Sequence, residues 1–257
     1  MTNVLEVRNL EKVYGSGRGS TTQALAGVSF SVATGETVAI MGPSGSGKTT
    51  LLNCIATIDR PTSGEVIVNG QDVAALRQRQ LAAFRRTELG FIFQDSNLLD
   101  TLTCFENIAL PLTISRVRPA EIKTSVETVA TTLGVAELLD KYPYQVSGGQ
   151  AQRVAAARAI VANPSLVLAD EPTGALDSKN SQILLECFES LNQRFDSTIL
   201  MVTHDAFAAS FCHRVLFIRD GRLFTELRRG DKGRHDFFDD VMRVVAVIGG
   251  GADGDGR

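Results

Sequence analysis

Hydrophobic and polar residues follow two different periods along this chain. Near the N-terminus, short apolar runs end at glycine breakers such as Gly35 and Gly70, which is typical of strands joined by turns. These runs predict strands over residues 4–10, 28–32, 37–41 and 65–69. Farther along, strand and helix patterns alternate at 166–169, 178–195, 198–203 and 205–212. The two regions together predict an α/β fold with a mainly parallel sheet and an N-terminal antiparallel β subdomain.

The region between these two halves has a helical pattern. It covers about residues 95–163, with a helical run at 119–133 and stop signals at Pro143 and Pro164. The pattern predicts an α-helical subdomain inserted into the α/β core.

The C-terminal part begins with a predicted hairpin over residues 215–224, which turns at Asp220-Gly221. A short amphipathic run follows, and its apolar residues are predicted to bury one stripe of a helix. These residues are Phe237, Phe238, Val241 and Met242. We expect one domain over residues 2–232, a tail over 233–257, and disorder in its last nine residues.

The charge balance and the cysteines exclude several classes of protein. The formal net charge is −3 and the pI is 5.7, so no basic field attracts a nucleic acid and no nucleic-acid partner is predicted. The cysteines lack metal-type spacing and the chain opens without a signal-like segment, which predicts a reducing cytoplasm. No run approaches about 18 uncharged apolar residues, so any membrane role is expected to come through a separate subunit.

The segment that begins at Gly42 matches the phosphate-binding loop pattern G-x-x-x-x-G-K-[ST]. It lies between a predicted strand and a predicted helix, where main-chain N–H groups can face phosphates. Lys48 is predicted to reach the β- and γ-phosphates of a nucleoside triphosphate, and Thr49 to bind Mg²⁺. The predicted nucleotide-binding residues here are Gly42, Pro43, Ser44, Gly45, Ser46, Gly47, Lys48, Thr49 and Thr50.

Two further motifs suit the same ligand. The strand at 166–169 ends in Asp170, a predicted Mg²⁺ ligand, and Glu171, a predicted general base for the attacking water. A solvated acidic turn is the alternative interpretation of this pair. The second motif, Ser147-Gly148-Gly149-Gln150, has capping-box spacing, so helix capping is an alternative there. Consecutive glycines at a helix start instead favour close approach of a phosphate.

This ordered set of motifs resembles the ATP-binding subunit of an ATP-binding-cassette (ABC) transporter, over nearly all of residues 2–230. The resemblance implies a P-loop NTPase (RecA-like) core, ATPase activity with ATP and Mg²⁺, and a head-to-tail dimer. Residues 147–150 would then bind the ATP held by a second copy. The resemblance also implies roles for Tyr14 (adenine stacking), Gln94 (Mg²⁺ and attacking water), Asp177 (cross-dimer contact) and His204 (γ-phosphate switch). A mere strand-end aromatic is the alternative for Tyr14.

The segment 168–177 resembles the branch of the family that includes lipoprotein-release, macrolide-export and cell-division members. Segments 91–103 and 106–108 and the tail look most like bacitracin-type antimicrobial-peptide resistance transporters. The resemblance predicts a subunit at the inner face of the membrane that powers a separate permease, with an indirect link to a sensor kinase through it. The other branch members remain alternatives, as does a soluble cassette ATPase acting on DNA or ribosomes, which the acidic pI disfavours.

Overall fold

The structure is a computed structural model that describes residues 2–15 and 20–249. It divides into two compact units, one formed by Met1–Leu76 with Leu200–Arg257 and the other by Arg77–Ile199. The first unit begins with β1 (Asn3–Tyr14), β2 (Thr22–Ala33), β3 (Thr37–Met41), α1 (Lys48–Ile55), β4 (Ser63–Val68) and β5 (Gln71–Asp72). The second unit contains α2 (Gln78–Glu88), β6 (Leu89–Ile92), α3 (Cys104–Ile114), α4 (Pro119–Thr132), α5 (Gly148–Ile160), β7 (Leu166–Asp170) and α6 (Ser178–Phe195). The chain then continues with β8 (Ile199–Val202), α7 (Ala206–Ser210), β9 (Arg214–Arg219), β10 (Arg222–Arg228) and α8 (Arg234–Gly249).

The predicted antiparallel subdomain is present as a four-stranded sheet in the order β2-β1-β4-β5. Leu5 on β1 lies opposite Val32 on one side and Val68 on the other, and all three side chains are buried. β1 and β2 are longer than predicted, because their main-chain pairing continues through polar positions such as Glu11 and Lys12. The apolar pattern in the sequence covers only the part of each strand that packs against the core.

Strand β3, which precedes the phosphate-binding loop, is fully buried. β3 is followed in the sheet by β8 on one side and by β9 and then β10 on the other, and it runs parallel to β9. The predicted hairpin between β9 and β10 is confirmed, with Asp220 and Gly221 at φ 51 and 71. Two consecutive positive φ values are the mark of a type I′ turn, which suits the twist of paired strands.

In the second unit, β6 and β7 pair in parallel, with Leu89 opposite Leu166. Gly90 lets α5 approach closely, because a Cβ there would lie 2.3 Å from the carbonyl oxygen of Ala159. The predicted helical region is present as α3, α4 and α5, with short 3₁₀ turns between α4 and α5. The sequence reasoning missed α2 and β6. Only Phe84 of α2 is buried and β6 has four residues, so neither produces a clear period.

In the C-terminal helix α8, the prediction that four apolar residues form one buried stripe is wrong. Phe237 and Val241 are buried, whereas Phe238 is partly exposed and Met242 is 44% exposed. Neighbouring helical residues point about 100° apart, so only one member of each adjacent pair faces the core. α8 packs against α7, and its Arg234 guanidinium carbon lies 4.2 Å from the ring centre of Phe211. The prediction for the last nine residues falls, from residue 250 onward, outside the described part of the chain.

Within the described ranges, 2–15 and 20–249, no helix combines the length and the apolar character needed to cross a membrane.

Candidate nucleotide-binding and hydrolysis site

The phosphate-binding loop connects the end of β3 to the first residue of α1. Gly45 and Gly47 have φ values of 77 and 100, and Gly47 is the N-cap of α1 without a side-chain capping hydrogen bond. A Cβ on Gly47 would lie 2.3 Å from the carbonyl oxygen of Ala24. Glycine is therefore required here both for the backbone conformation and for space. The uncapped N–H groups at the start of α1 form a favourable position for an anion.

Polar side chains of the loop are arranged for a phosphate ligand. The Lys48 ammonium donates to the carbonyl oxygens of Gly42 and Pro43, each at 2.9 Å, which folds this cation back over the loop. Ser46 Oγ is buried without a hydrogen-bond partner among the described residues. Pro43, Ser44, Gly45 and Thr49 are exposed. A curled main chain, a bent-back lysine and an orphaned hydroxyl together fit a triphosphate.

Tyr14 lies at the end of β1 and is held by two charged neighbours. Its hydroxyl donates to Asp59 Oδ2 at 2.7 Å, and the Lys12 ammonium lies 4.7 Å from its ring centre. Lys12 Nζ also lies 2.6 Å from Asp59 Oδ1. Burial raises the pKa of Tyr14, and the hydrogen bond to Asp59 adds to this. Burial opposes ionisation of Asp59, but the Lys12 and Tyr14 hydrogen bonds outweigh it and hold the pKa of Asp59 below its ordinary value. Tyr14 is 40% exposed, which leaves an aromatic surface available for stacking.

His204 follows β8, which lies beside β3 in the sheet. The Thr203 N–H donates to the Ile40 carbonyl at 3.1 Å, which ties the end of β8 to β3. His204 is exposed, while Asp205 caps α7 by accepting from Phe207 N at 2.8 Å. The cap accounts for Asp205 and leaves His204 facing outward from the end of the strand. Tyr14, the phosphate loop and His204 therefore all belong to the first unit.

The second unit carries the acidic pair and Gln94. Asp170 ends β7 and Glu171 follows it with φ 47, a left-handed conformation that is uncommon for a residue with a long side chain. Gln94 lies two residues beyond β6 and is exposed. A Cβ on Gly174 would lie 3.1 Å from Gln94 Cδ, so this glycine leaves room for the Gln94 side chain.

The motif at residues 147–150 forms a helix start. Ser147 Oγ accepts from Gln150 N at 3.3 Å and Gln150 Oε1 accepts from Ser147 N at 2.8 Å, so the capping box is present. The cap occupies the side chains, whereas Gly148 is exposed and its N–H belongs to the first turn of the 13-residue helix α5. Helix capping and anion binding are therefore compatible in this motif.

Asp177 is the N-cap of α6 and is linked to the same motif through Asn180. Asp177 accepts from the main chain and the side-chain amide of Asn180, both at 2.8 Å. These two hydrogen bonds lower the pKa of Asp177. A Cβ on Gly149 would lie 2.3 Å from Asn180 Oδ1, so Gly149 leaves the space that Asn180 fills.

Several residues that hold the candidate site residues in place were not predicted from the sequence. They are Lys12, Asp59, Gln152, Arg158 and Asn180, whose side chains bond to other parts of the site or to the main chain around it. None of them belongs to a short motif with a known spacing, and partners such as Lys12 and Asp59 lie 47 positions apart along the chain.

Comparison with known proteins shows the family to which the chain belongs. The family described as "ABC transporter" matches residues 25–174, more than half of the 257 residues. The chain belongs to the ABC transporter family. The ABC transporter ATP-binding protein YvcR of Bacillus subtilis (strain 168) is 53% identical over 249 residues, which covers 96% of each chain. The bacitracin export ATP-binding protein BceA of Halalkalibacterium halodurans is 49% identical over 247 residues, covering 96% of this chain and 97% of BceA.

A solved ABC cassette has the same fold. The cassette MJ0796, in a dimeric post-hydrolysis state bound to ADP and Pi, has a TM-score of 0.78 at 37% identity, covering 87% of this chain and 98% of its own. The predicted P-loop NTPase fold, with parallel and antiparallel strands and helices, is confirmed. The chain is an ABC-type ATP-binding subunit, and ATP hydrolysis is its expected activity.

Proposed function

We propose that this ABC subunit hydrolyses MgATP in a head-to-tail dimer and drives a separate membrane permease that confers resistance to bacitracin-like antimicrobial peptides. The phosphate-binding loop carries the proposal, because Lys48, the uncapped start of α1 and the orphaned Ser46 hydroxyl suit a triphosphate together. The peptide class rests on the likeness to BceA over 97% of that protein's length.

Each step of hydrolysis has a candidate residue. Lys48 neutralises the β- and γ-phosphates, and the exposed Thr49 hydroxyl and the Asp170 carboxylate are hard oxygen donors of the kind Mg²⁺ prefers. Mg²⁺ would neutralise charge that develops on the phosphate oxygens. Glu171 accepts the proton of the attacking water, which Gln94 orients, and His204 contacts the γ-phosphate.

The dimer supplies the missing half of each site. The N-terminus of α5 and Asp177 of one copy face the ATP that the loop of the other copy holds. The exposed Gly148 at the first turn of α5 supports this role, because main-chain N–H groups at the positive end of a helix favour a phosphate oxygen. The dimeric state of MJ0796 with ADP and Pi supports the same assembly.

A groove in the second unit suits a permease segment. Its volume is about 470 Å³, and its wall is mainly apolar but includes arginines. Its lining includes Arg85, Arg86, Phe91, Leu110, Pro111 and Ile114. Ile114 is 55% exposed, a large apolar side chain that a partner would cover. The subunit would then lie at the inner face of the membrane, and any link to a sensor kinase would pass through the permease.

ATPase assays of the purified chain test the chemistry. Lys48→Ala should abolish tight ATP binding, because the cation over the loop is lost while the glycines remain. Glu171→Gln should keep ATP bound, stop turnover and accumulate an ATP-dependent dimer in size-exclusion chromatography, because an amide cannot take the proton. Unchanged MgATP affinity of Lys48→Ala, or full turnover of Glu171→Gln, would remove these residues from their assigned roles.

Mixing two inactive variants tests the head-to-tail arrangement. A heterodimer of Lys48→Ala with Ser147→Arg has one composite site with both halves intact and one with both halves altered. We expect the mixture to retain about one ATP per dimer and to hydrolyse faster than either variant alone. If each chain completed its own site, mixing would produce no gain.

The peptide class needs a cellular test. Deletion of the gene should lower the minimal inhibitory concentration of bacitracin, and Glu171→Gln should fail to restore it. Copurification should recover a permease of about ten spans with a large extracellular domain. Wild-type bacitracin tolerance in the deletion strain, or recovery of a four-span partner, would favour a cell-division role instead.

A further inference from the structure

One buried side chain of α5 joins two candidate catalytic segments of the second unit. Gln152 is 1% exposed, and its Nε2 donates to the carbonyl oxygens of Phe93 at 2.5 Å and Pro172 at 3.1 Å. Phe93 directly precedes Gln94, and Pro172 directly follows Glu171. A single amide group therefore bonds to the main chain next to both residues that are assigned to the attacking water.

The orientation of this amide is determined by its neighbours. Both partners of Gln152 are carbonyl oxygens, which only accept, so the NH₂ group and not the amide oxygen must face them. The NH₂ group has two N–H donors and both are used. If these donors were removed, both carbonyls would lose this hydrogen bond, and the Gln152 amide would no longer join the two segments.

A second side chain of α5 holds the same loop farther along. Arg158 donates to the carbonyl oxygens of Ser96 at 2.9 Å and Asn97 at 2.7 Å. Because α5 begins at the motif of residues 147–150, Gln152 and Arg158 connect this helix to the Gln94 loop at two points. Within the described residues, the side-chain hydrogen bonds of Arg158 go to this loop, whereas those of Gln152 also reach the segment after Glu171.

We infer that Gln152 is a positioning residue for hydrolysis, which sets the separation of Gln94 and Glu171 and couples both to α5, the helix that begins at the motif of residues 147–150. The inference rests on the proposed roles of Gln94 and Glu171. Gln152 touches neither nucleotide nor water in this scheme and acts only through the main chain of the two segments. Its loss should therefore reduce turnover and leave ATP binding almost unchanged.

Gln152→Met tests this, because methionine has a similar length and no N–H donor. We expect kcat to fall about 10- to 100-fold, the scale of a misplacement near 1 Å, while the ATP dissociation constant stays within about twofold. The matched control is Val126→Ala, a fully buried change in α4 of the same unit, a helix that carries none of the residues assigned to hydrolysis. It should lower the thermal midpoint without lowering kcat at a temperature where the protein is folded. A kcat of Gln152→Met within twofold of wild type would overturn the inference.

Gln152→Glu provides a second measurement that a purely structural role would not change. An ionised carboxylate repels the two carbonyls, whereas the protonated acid can donate one hydrogen bond, and burial favours the protonated form. We expect the ratio of its kcat to that of wild type to rise as the pH is lowered from 8 to 6. A flat or falling ratio would overturn the inference even if the methionine variant failed to fold.

The outcomes separate this inference from the proposed function. If wild-type protein hydrolyses ATP, Lys48→Ala and Glu171→Gln are inactive and Gln152→Met is normal, only the positioning role fails. If wild-type protein does not hydrolyse ATP, or Glu171→Gln turns over normally, the proposed function fails first.

Discussion

Replacement of Phe237 by alanine should show how much α8 contributes to the stability of the first unit. Phe237 is fully buried, and Val241 and Ile248 are the other buried side chains of the helix. The helix packs on α7, the short helix that follows His204. We therefore expect Phe237→Ala to weaken the attachment of α8 and to loosen the segment that carries His204, the proposed γ-phosphate contact.

The size of the effect follows from burial. A buried Phe→Ala change costs about 3–5 kcal/mol through lost transfer free energy and the cavity that remains. For a protein of this length, 1 kcal/mol shifts the thermal midpoint by about 2–4 °C, so the expected decrease is roughly 6–20 °C. The decrease of the thermal midpoint lies at the lower end of this range if α8 detaches, because no cavity then forms at position 237.

Met242 offers a matched control on the same helix. It is 44% exposed, so Met242→Ala should change stability by less than about 1 kcal/mol. Thermal unfolding followed by circular dichroism, with and without MgATP, measures both variants, and bacitracin tolerance should fall only for Phe237→Ala. Midpoints of the two variants within about 2 °C of each other, a shift worth less than about 1 kcal/mol, would refute the assignment of Phe237 to the core.

Three further predictions concern the loop, the adenine contact and pH. Gly47→Ala should weaken ATP binding at least tenfold in a fluorescence titration, because its Cβ would lie 2.3 Å from a carbonyl oxygen. The control Gly70→Ala also replaces a glycine with a positive φ, but no atom lies within 4 Å of its Cβ, so this variant should bind ATP normally. Equal affinities of the two variants would contradict this prediction. Tyr14→Phe should raise the KM for ATP less than about threefold and Tyr14→Ala at least tenfold, because the ring and not the hydroxyl is proposed to stack on adenine. Equal KM values would remove the ring from the site. Burial lowers the pKa of His213, so the unfolded chain takes up the His213 proton at a higher pH than the folded chain does. The stability that neutral His213 contributes is fully present above about pH 6.5 and is lost as the pH falls through the folded-state pKa. Urea midpoints between pH 7.5 and 5 should lose part of this slope in His213→Gln but not in His235→Gln, and identical slopes would refute the assignment.

Much of the fold could be predicted because its signals are local. The buried run of β3, the glycine loop and the start of α1 lie within about twenty residues, and their order alone predicts a strand, a phosphate-binding turn and a helix. The Asp220-Gly221 hairpin was predicted for the same reason, since its turn chemistry is contained in two residues. The polar helix α2 and the short strand β6 were missed, because their formation depends on neighbours that are distant in sequence.

The sequence by itself determined the class of fold and the family, and it located the candidate nucleotide-binding motifs. Residue type and spacing suffice for these, because a phosphate loop needs glycines, a lysine and a helix start in a set order. Only the tertiary structure decided which residues hold those motifs in place. The Gln152 amide reaches Phe93 across 59 positions, and Tyr14 reaches Asp59 across 45. Such hydrogen bonds join main-chain and side-chain groups that folding brings together, so no local pattern records them.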